Sequence, residues 1–429
     1  MTYYPGMPTD EVNILSRVGR KNPLATGAPQ EIPVAIDLTA TDVVANVKMP
    51  VNIGIVLDRS GSMGDQGKMK QAIESACQLV QQMQPNDFIS VVAFHEKAKV
   101  IVKHQPVTNV NEICKEIRKL KPDDGTDISE GLGLIFNEIS QSKYQGPALA
   151  RRIILLTDGE TSNGDACLRI SAQIGQAGIP LYALGLGSDW NSEFMEDLVA
   201  QNVAFTQVGR TVYLPDPSHI NNIFQEVFTG AQNSVINNLR LTFRFSMGVT
   251  PIAVYRIFPL IADLGFQPIS DREIMVQLGE LEKGNPQSIL VRATIGPRPP
   301  GQFRMGQIEA SYDVPALGIY GKRIRNDVLL DLTTNPNLAN VVDPDVMNLS
   351  EKVRAFKLQT IALIDMNHGN VQGATIKLNQ AVTILFSQGD TQQANAIQAE
   401  LQNIQKSGAM SEQGEKTIQF NKSKTIRFN

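Results

Sequence analysis

Three short motifs carry the chemistry legible in this sequence: Asp58, Ser60 and Ser62 in DRSGSM, Thr126 in GTD, and Asp158 in LLTDGE. The first sets one carboxylate and two hydroxyls at alternate positions of a tight turn, where Gly61 supplies backbone freedom. The second adds a hydroxyl at the start of a helical pattern, and the third adds another carboxylate. Every donor is oxygen, which suits a hard cation such as Mg²⁺, an ion that prefers octahedral geometry and keeps several waters. Mg²⁺ is the expected ion, with Mn²⁺ and Ca²⁺ as alternatives. Three neutral hydroxyls and two carboxylates only just balance a dication. The ion therefore retains attraction for one more anionic oxygen, from water or from an Asp or Glu of a protein partner. Such a device binds, and nothing in it requires turnover.

The elements that must position these residues follow from periodicity. The apolar run 51–57, VNIGIVL, reads as a buried parallel strand ending at the first motif. A helix is expected from Lys68 to Met83, with Met69, Ile73, Cys77 and Val80 on one face. FISVVAF (88–94) and KVIVK (99–103) leave no room for a crossover and should form an antiparallel hairpin. Helical patterns at 110–120 and 128–139 bracket GTD, and strand RIILLT (152–157) ends at Asp158. A helix at 166–178, a strand at 180–187 and a further helix from Ser192 complete the alternation. Strands alternating with helices give a doubly wound, Rossmann-like α/β sheet, whose ligands bind at the carboxyl ends of its strands. All three motifs then open on one rim.

DRSGSM, GTD and LLTDGE, in that order and each at a strand or helix end, resemble the metal-ion-dependent adhesion site of the von Willebrand factor A (VWA) family. The resemblance covers about residues 49–225. It implies that Asp58, Ser60, Ser62, Thr126 and Asp158 supply metal ligands, directly or through water. The family often has two glycines before the threonine; here Asp124 replaces the first and adds negative charge. The architecture is also similar to a bacterial branch that includes inter-alpha-inhibitor-like and calcium-activated chloride-channel-like proteins.

The rest of the chain has a different texture. Residues 1–30 read as an irregular arm rich in Pro, Gly, Asn and Thr. Period-two segments at 32–38, continued by Val43, Ala45 and Val47, match others after residue 232, among them NNLRLTFRFSM, SILVRATIG and QIEASYDV. We therefore expect one antiparallel β-sandwich domain, 31–48 and 231–316, holding the VWA domain, 49–230, as an insertion. From 317 to 429 a C-terminal helical region is expected. Val353, Phe356, Thr360 and Leu363 mark one helix, and two more resemble a tetratricopeptide-like hairpin with Asp390 or Thr391 as N-cap. The basic, alternating tail KTIQFNKSKTIRFN is expected to dock as a strand.

Composition narrows the function. A hydrophobic share of 42%, a charged share of 19% and a formal net charge of −4 are those of an ordinary folded protein. No basic stripe interleaved with aromatics points to nucleic acid. The N-terminus lacks the pattern of a secretory signal, and no run of about 18 apolar residues points to a membrane span. Three scattered cysteines without CxxC spacing fit reduced thiols and a cytoplasmic setting. The four histidines lack zinc spacing, and Asp65, Asp127, Glu160 and Asp165 read as solvated loop charges. Trp190 reads as a packing residue, with a partner anchor as the alternative.

Three functions compete on these grounds. The first is a metal-dependent protein-interaction module, without catalytic residues, whose ion is completed by a partner's carboxylate in intracellular docking or complex assembly. The second is a metal-dependent phosphohydrolase with Asp58 as nucleophile. Phosphatases of the haloacid-dehalogenase type place a second Asp two residues on as general acid, whereas this chain has Ser60, a poor proton donor. The third is a scaffold in which the metal only braces loops.

Overall fold

The computed structural model describes residues 10–25, 28–140, 149–161 and 163–424. The chain divides into two compact units, one of residues 1–46, 236–314 and 319–429, the other of residues 47–235 and 315–318.

The second unit is the α/β body. Its six-stranded sheet runs in the order β5-β4-β3-β6-β7-β8. The strands are β3 (Val51–Asp58), β4 (Phe88–Phe94), β5 (Ala98–Pro106), β6 (Ala150–Thr157), β7 (Leu181–Leu186) and β8 (Gly209–Leu214). The helices are α1 (Lys68–Gln82), α2 (Val110–Ile117), α3 (Ile128–Ser140), α4 (Gly164–Gln176), α5 (Ser192–Thr206) and α6 (Ile220–Asn233). All of β3 and β4 is buried, which is why both read as mainly apolar runs, with Asn52 and Ser90 as the polar residues ahead of Asp58 and Phe94. The β4–β5 pair is antiparallel, as its short connection requires, while β3 pairs parallel with both β4 and β6. Met69, Ile73, Cys77 and Val80 of α1 join Ile53, Ile55 and Leu57 of β3 and Phe224 and Phe228 of α6 in one core. Because the chain crosses to opposite sides of β3 on reaching β4 and β6, the loops leaving β3 and β6 diverge and leave a crevice at their carboxyl ends.

The first unit holds two five-stranded sheets, β1-β2-β14-β10-β11 and β12-β13-β9-β15-β16. Their strands are β1 (Val12–Val18), β2 (Gln30–Ala40), β9 (Ser234–Phe245), β10 (Val249–Phe258), β11 (Ala262–Asp263), β12 (Gln267–Ser270), β13 (Glu273–Glu282), β14 (Gln287–Ile295), β15 (Gly301–Val314) and β16 (Ile319–Leu332). Val34, Ile36 and Val291 of one sheet and Phe243, Ile308 and Val328 of the other line a shared apolar gap, the arrangement of a sandwich.

Several expectations need correction here. Within the segment read as an irregular arm, Val12–Val18 is an edge strand paired with β2; its buried Val12 and Ile14 are too short an alternation to stand out from polar flanks. Val43, Ala45 and Val47 do not prolong β2. The Val44 N–H instead bonds back to the Thr41 carbonyl, closing a 3₁₀ turn at Asp42–Val44. The helical region does not begin at 317, because Ile319–Leu332 is a strand paired along most of its length with β15. Val328, Leu330 and Leu332 point inward and alternate with exposed Arg325, Asp327 and Leu329.

Cross-strand charge supports that register. Glu309 on β15, only 4% exposed, accepts from Arg244 at 3.1 Å and from Arg325 at 2.6 Å. The hydrogen bond from Arg244, with that from Arg325, holds its carboxyl below the usual range despite burial. The unfolded chain then binds more protons than the folded one as acid is added. The stabilisation is present above the ordinary Glu value of about 4.3 and is lost as pH falls through the lowered folded value. Glu309→Gln should lower the urea midpoint at pH 7, and the gap to wild type should close in acid. A gap unchanged down to about pH 3 would count against the account.

Helices α7 (Pro336–Ala339), α8 (Pro344–Asn367), α9 (Val371–Ser387), α10 (Thr391–Ser407) and α11 (Glu412–Asn421) follow. Asp343, Asn370, Asp390 and Ser411 cap α8 to α11 with side-chain oxygens, and Pro344 opens α8. Leu378, Leu385, Ile397, Leu401 and Ile404 form the core of this helical region. The tail expectation holds only at its end: α11 takes in KTIQFN, burying Ile418 against that core, while Lys424 forms an isolated antiparallel bridge with Leu260 and the Ser423 carbonyl accepts from the Ile261 N–H at 2.7 Å; residues 425–429 lie outside the described residues.

Candidate functional site

Strand β3 delivers Asp58 to the crevice and β6 delivers Thr157, with Asp158 immediately after it; both carboxylates are fully buried. Asp58 Oδ1 accepts from the Ser60 backbone N–H at 2.7 Å, and Oδ2 accepts from the Thr157 hydroxyl at 2.6 Å. Burial pushes the Asp58 carboxyl above the usual range. The Thr157 and Ser60 hydrogen bonds oppose that rise, and neighbouring Asp158 adds to it.

The turn after β3 brings the two serines to Asp158. Ser62 Oγ donates to Asp158 Oδ1 at 2.7 Å and Ser60 Oγ at 3.4 Å, while the two hydroxyls lie 3.1 Å apart. Ser60 is buried and Ser62 exposed, so the cluster opens to solvent on the Ser62 side. The other oxygen of Asp158 is taken by the Lys68 ammonium at 2.5 Å, from the first residue of α1.

Thr126 comes from the GTD loop, with its hydroxyl 3.8 Å from where a Cβ on Gly159 would stand, beside Asp158. Gly125 makes that loop possible. Its φ is +89°, and a Cβ there would collide with Glu96. Backbone and charge contacts tie this loop to the first motif. Arg59 pairs with Asp123 at 3.0 Å, the Asp123 N–H bonds to the Arg59 carbonyl at 2.7 Å, and the Asp127 N–H bonds to the His95 carbonyl at 2.7 Å. The carboxylate of Asp124 stands over Gly61, with Oδ1 3.2 Å from where its Cβ would be, so the substituted position carries its charge to the rim.

Asp58, Ser60, Ser62 and Asp158 thus form one hydrogen-bonded cluster, with Thr126 beside it. Asp127 does other work: its Oδ1 accepts from Ser129 N–H and Oγ and caps α3. Asp65, Glu160 and Asp165 are exposed. Trp190 is buried at 2% exposure and packs on Gly185. His95 Nδ1 lies 2.9 Å from the Asp124 carbonyl, and His104 stacks on Phe88. Sequence reasoning missed two participants, Thr157 and Lys68. Each is marked only by contact with a residue at least ninety positions away.

Comparison with known proteins agrees with the α/β fold that holds this cluster. The family model for the von Willebrand factor type A domain matches residues 52–226. A second, for the Sll0103-like C-terminal alpha-helical domain, matches residues 344–427, where the sequence had suggested a tetratricopeptide-like hairpin. The Synechocystis sp. protein called "Uncharacterized protein sll0103" is 28% identical over 368 residues, spanning 83% of this chain and 84% of its own length. The mouse inter-alpha-trypsin inhibitor heavy chain H2 is 31% identical over 169 residues, 37% of this chain but only 18% of that protein. Among solved structures, a von Willebrand factor type A protein from Catenulispora acidiphila superposes over 100% of both chains with a TM-score of 0.78 at 17% identity, a likeness of fold.

Proposed function

We propose, on the premise that this chain carries a von Willebrand factor type A domain and ends in a Sll0103-like helical domain, that it is a metal-dependent docking protein. In this reading Asp58, Ser60, Ser62, Thr126 and Asp158 hold a divalent cation, Mg²⁺ before Mn²⁺ or Ca²⁺. An Asp or Glu of a protein partner completes the shell. VWA domains are typically interaction modules of this kind.

The observation that carries the reading is the oxygen cluster. Two cis ligands of an octahedral Mg²⁺, each at 2.0–2.1 Å, stand about 2.9 Å apart. Ser60 Oγ, Ser62 Oγ and Asp158 Oδ1 are separated by 3.1, 2.7 and 3.4 Å, close to the spacing of one octahedral face. The exposed Ser62 edge leaves room for an outside ligand. Hydroxyl donors suit a hard ion better than zinc, and among the described residues no three His, Cys, Asp or Glu side chains converge.

We read the docking as non-enzymatic. Two residues after Asp58, where phosphatases of the haloacid-dehalogenase type place their general acid, stands Ser60, whose hydroxyl faces Ser62 and Asp158. We also read it as intracellular, since all three cysteines are buried free thiols. Among the described residues, no helix is long and apolar enough to cross a membrane.

The test uses the full chain as bait in a native lysate. A specific partner should be retained in Mg²⁺, released by EDTA, and lost with Thr126→Ala, while circular dichroism shows the fold unchanged. Capture indifferent to EDTA, with thermal stability that still depends on Mg²⁺, would transfer support to the bracing-metal reading. Phosphate release from an aryl phosphate, abolished by Asp58→Asn, would replace docking with catalysis.

A further inference from the structure

Lys68 reaches Asp158 on the oxygen that the two serine hydroxyls do not contact. It is the first residue of α1, after Gly67, and no acidic residue lies in that first turn. The helix dipole opposes a cation there. Its side chain is also only 10% exposed, so its ammonium has given up most of its water. Asp158 offsets both costs through the 2.5 Å contact from Lys68 Nζ to Oδ2. That carboxylate is thereby divided, with Oδ1 facing the serine hydroxyls and Oδ2 held by the ammonium. With both carboxylates ionised, Asp58, Asp158 and Lys68 together carry one net negative charge. A bound dication turns that into one net positive charge.

We propose that Lys68 is a resident cation that sets the charge of the site. Without a dication it neutralises Asp158 and lets the buried carboxylates stay folded together. It competes electrostatically with an incoming dication and so holds divalent-ion affinity down. With the ion bound, it leaves the buried trio of Asp58, Asp158 and Lys68 one charge more positive than the carboxylates and ion alone, which favours an acidic side chain even with Asp124 at the rim. This last part rests on the docking reading above; the first two do not.

The test compares wild type, Lys68→Met, Lys68→Gln and the charge-retaining Lys68→Arg as full chains, using Mn²⁺ alone as the probe. Mn²⁺ binding is followed by electron paramagnetic resonance and calorimetry, and melting is measured in EDTA. The Met and Gln variants should bind Mn²⁺ about tenfold more tightly or better and melt lower in EDTA, while Lys68→Arg should track wild type. A variant that folds only when Mn²⁺ is added is the same result in a stronger form. Mn²⁺ affinity equal to or below wild type in both neutral variants overturns the proposal. Binding by Lys68→Met but not by wild type supports Lys68 as the competing charge and overturns docking through a bound ion. Binding by neither overturns both. Tighter Mn²⁺ binding with undiminished partner capture in saturating Mg²⁺ overturns the part concerning the acidic ligand.

Discussion

Asp58→Asn should remove the divalent-ion response of this protein while leaving its metal-free fold at least as stable as wild type. The Asp58 side chain is buried at the end of β3, and burial pushes its carboxyl up, with Asp158 adding to the effect. Holding a charge there works against the fold when no cation answers it. The amide removes that charge and keeps an oxygen for the Ser60 N–H, which Asp58 Oδ1 now accepts at 2.7 Å. The Thr157 hydroxyl loses its 2.6 Å acceptor but has the Gly159 carbonyl at 3.4 Å as a substitute. In EDTA the variant should therefore melt at or above wild type. Magnesium should separate the two. A ligand present at 100 times its Kd stabilises the folded state by about 2.7 kcal/mol, and the variant should gain essentially none of this. Mn²⁺ affinity should fall by about 100-fold or more, since one of the two proposed anionic ligands is gone. Melting curves in EDTA and Mg²⁺, with a Mn²⁺ titration, check both halves. A variant several degrees less stable in EDTA would make Asp58 a structural acceptor. Equal stabilisation of both proteins by Mg²⁺ would place the ion elsewhere.

What could be read in advance divides along a physical line. The α/β body was legible because buried parallel strands are apolar along most of their length. VNIGIVL, FISVVAF and RIILLT announced themselves, and the polar residues that interrupt them at Asp58 and Asp158 fall at the strand ends. The hydroxyls of Ser60 and Ser62 were legible because they share one turn with Asp58. Lys68 and Thr157 were not, because their roles exist only once β3 and β6 lie side by side. Ahead of folding, Lys68 is one more lysine at a helix start. The same distinction explains the misread segments. IRNDVLLDL fits a strand or a helix by local pattern, and pairing with β15, which sets Arg325 against Glu309, decides for the strand. KTIQFN alternates like a strand, yet the Ser411 cap and the burial of Ile418 against α8 to α10 make it helical. Where one element contains the whole signal the sequence suffices, and where the signal is a contact between distant elements it does not.

Trp190→Ala should be among the most destabilising single changes in the α/β unit, although Trp190 lies in a loop on the same rim as the candidate-site motifs. The indole is 2% exposed, its Nε1 donates to the Gly187 carbonyl at 2.9 Å, and its ring lies 6.1 Å from that of Tyr213. It also rests directly on β7. A Cβ added to Gly185 would stand 2.1 Å from the ring, so the glycine is what lets strand and indole approach. Removing a buried Trp costs about 3–5 kcal/mol, and the cost is highest where the surroundings cannot collapse into the void. Here the strand side has no side chain with which to collapse. Gly185→Ala alone should overpack the site and cost about 1–3 kcal/mol. In the Trp190→Ala background the same methyl would enter empty space. The double variant should then be more stable than the two single losses predict, by a coupling of about 0.5–3 kcal/mol. Urea titrations of the four proteins, followed by far-ultraviolet circular dichroism, measure this cycle. A partner-anchor role makes the opposite forecast, with Trp190→Ala within about 0.5 kcal/mol of wild type, no coupling to Gly185, and partner capture lost from a protein that is otherwise intact.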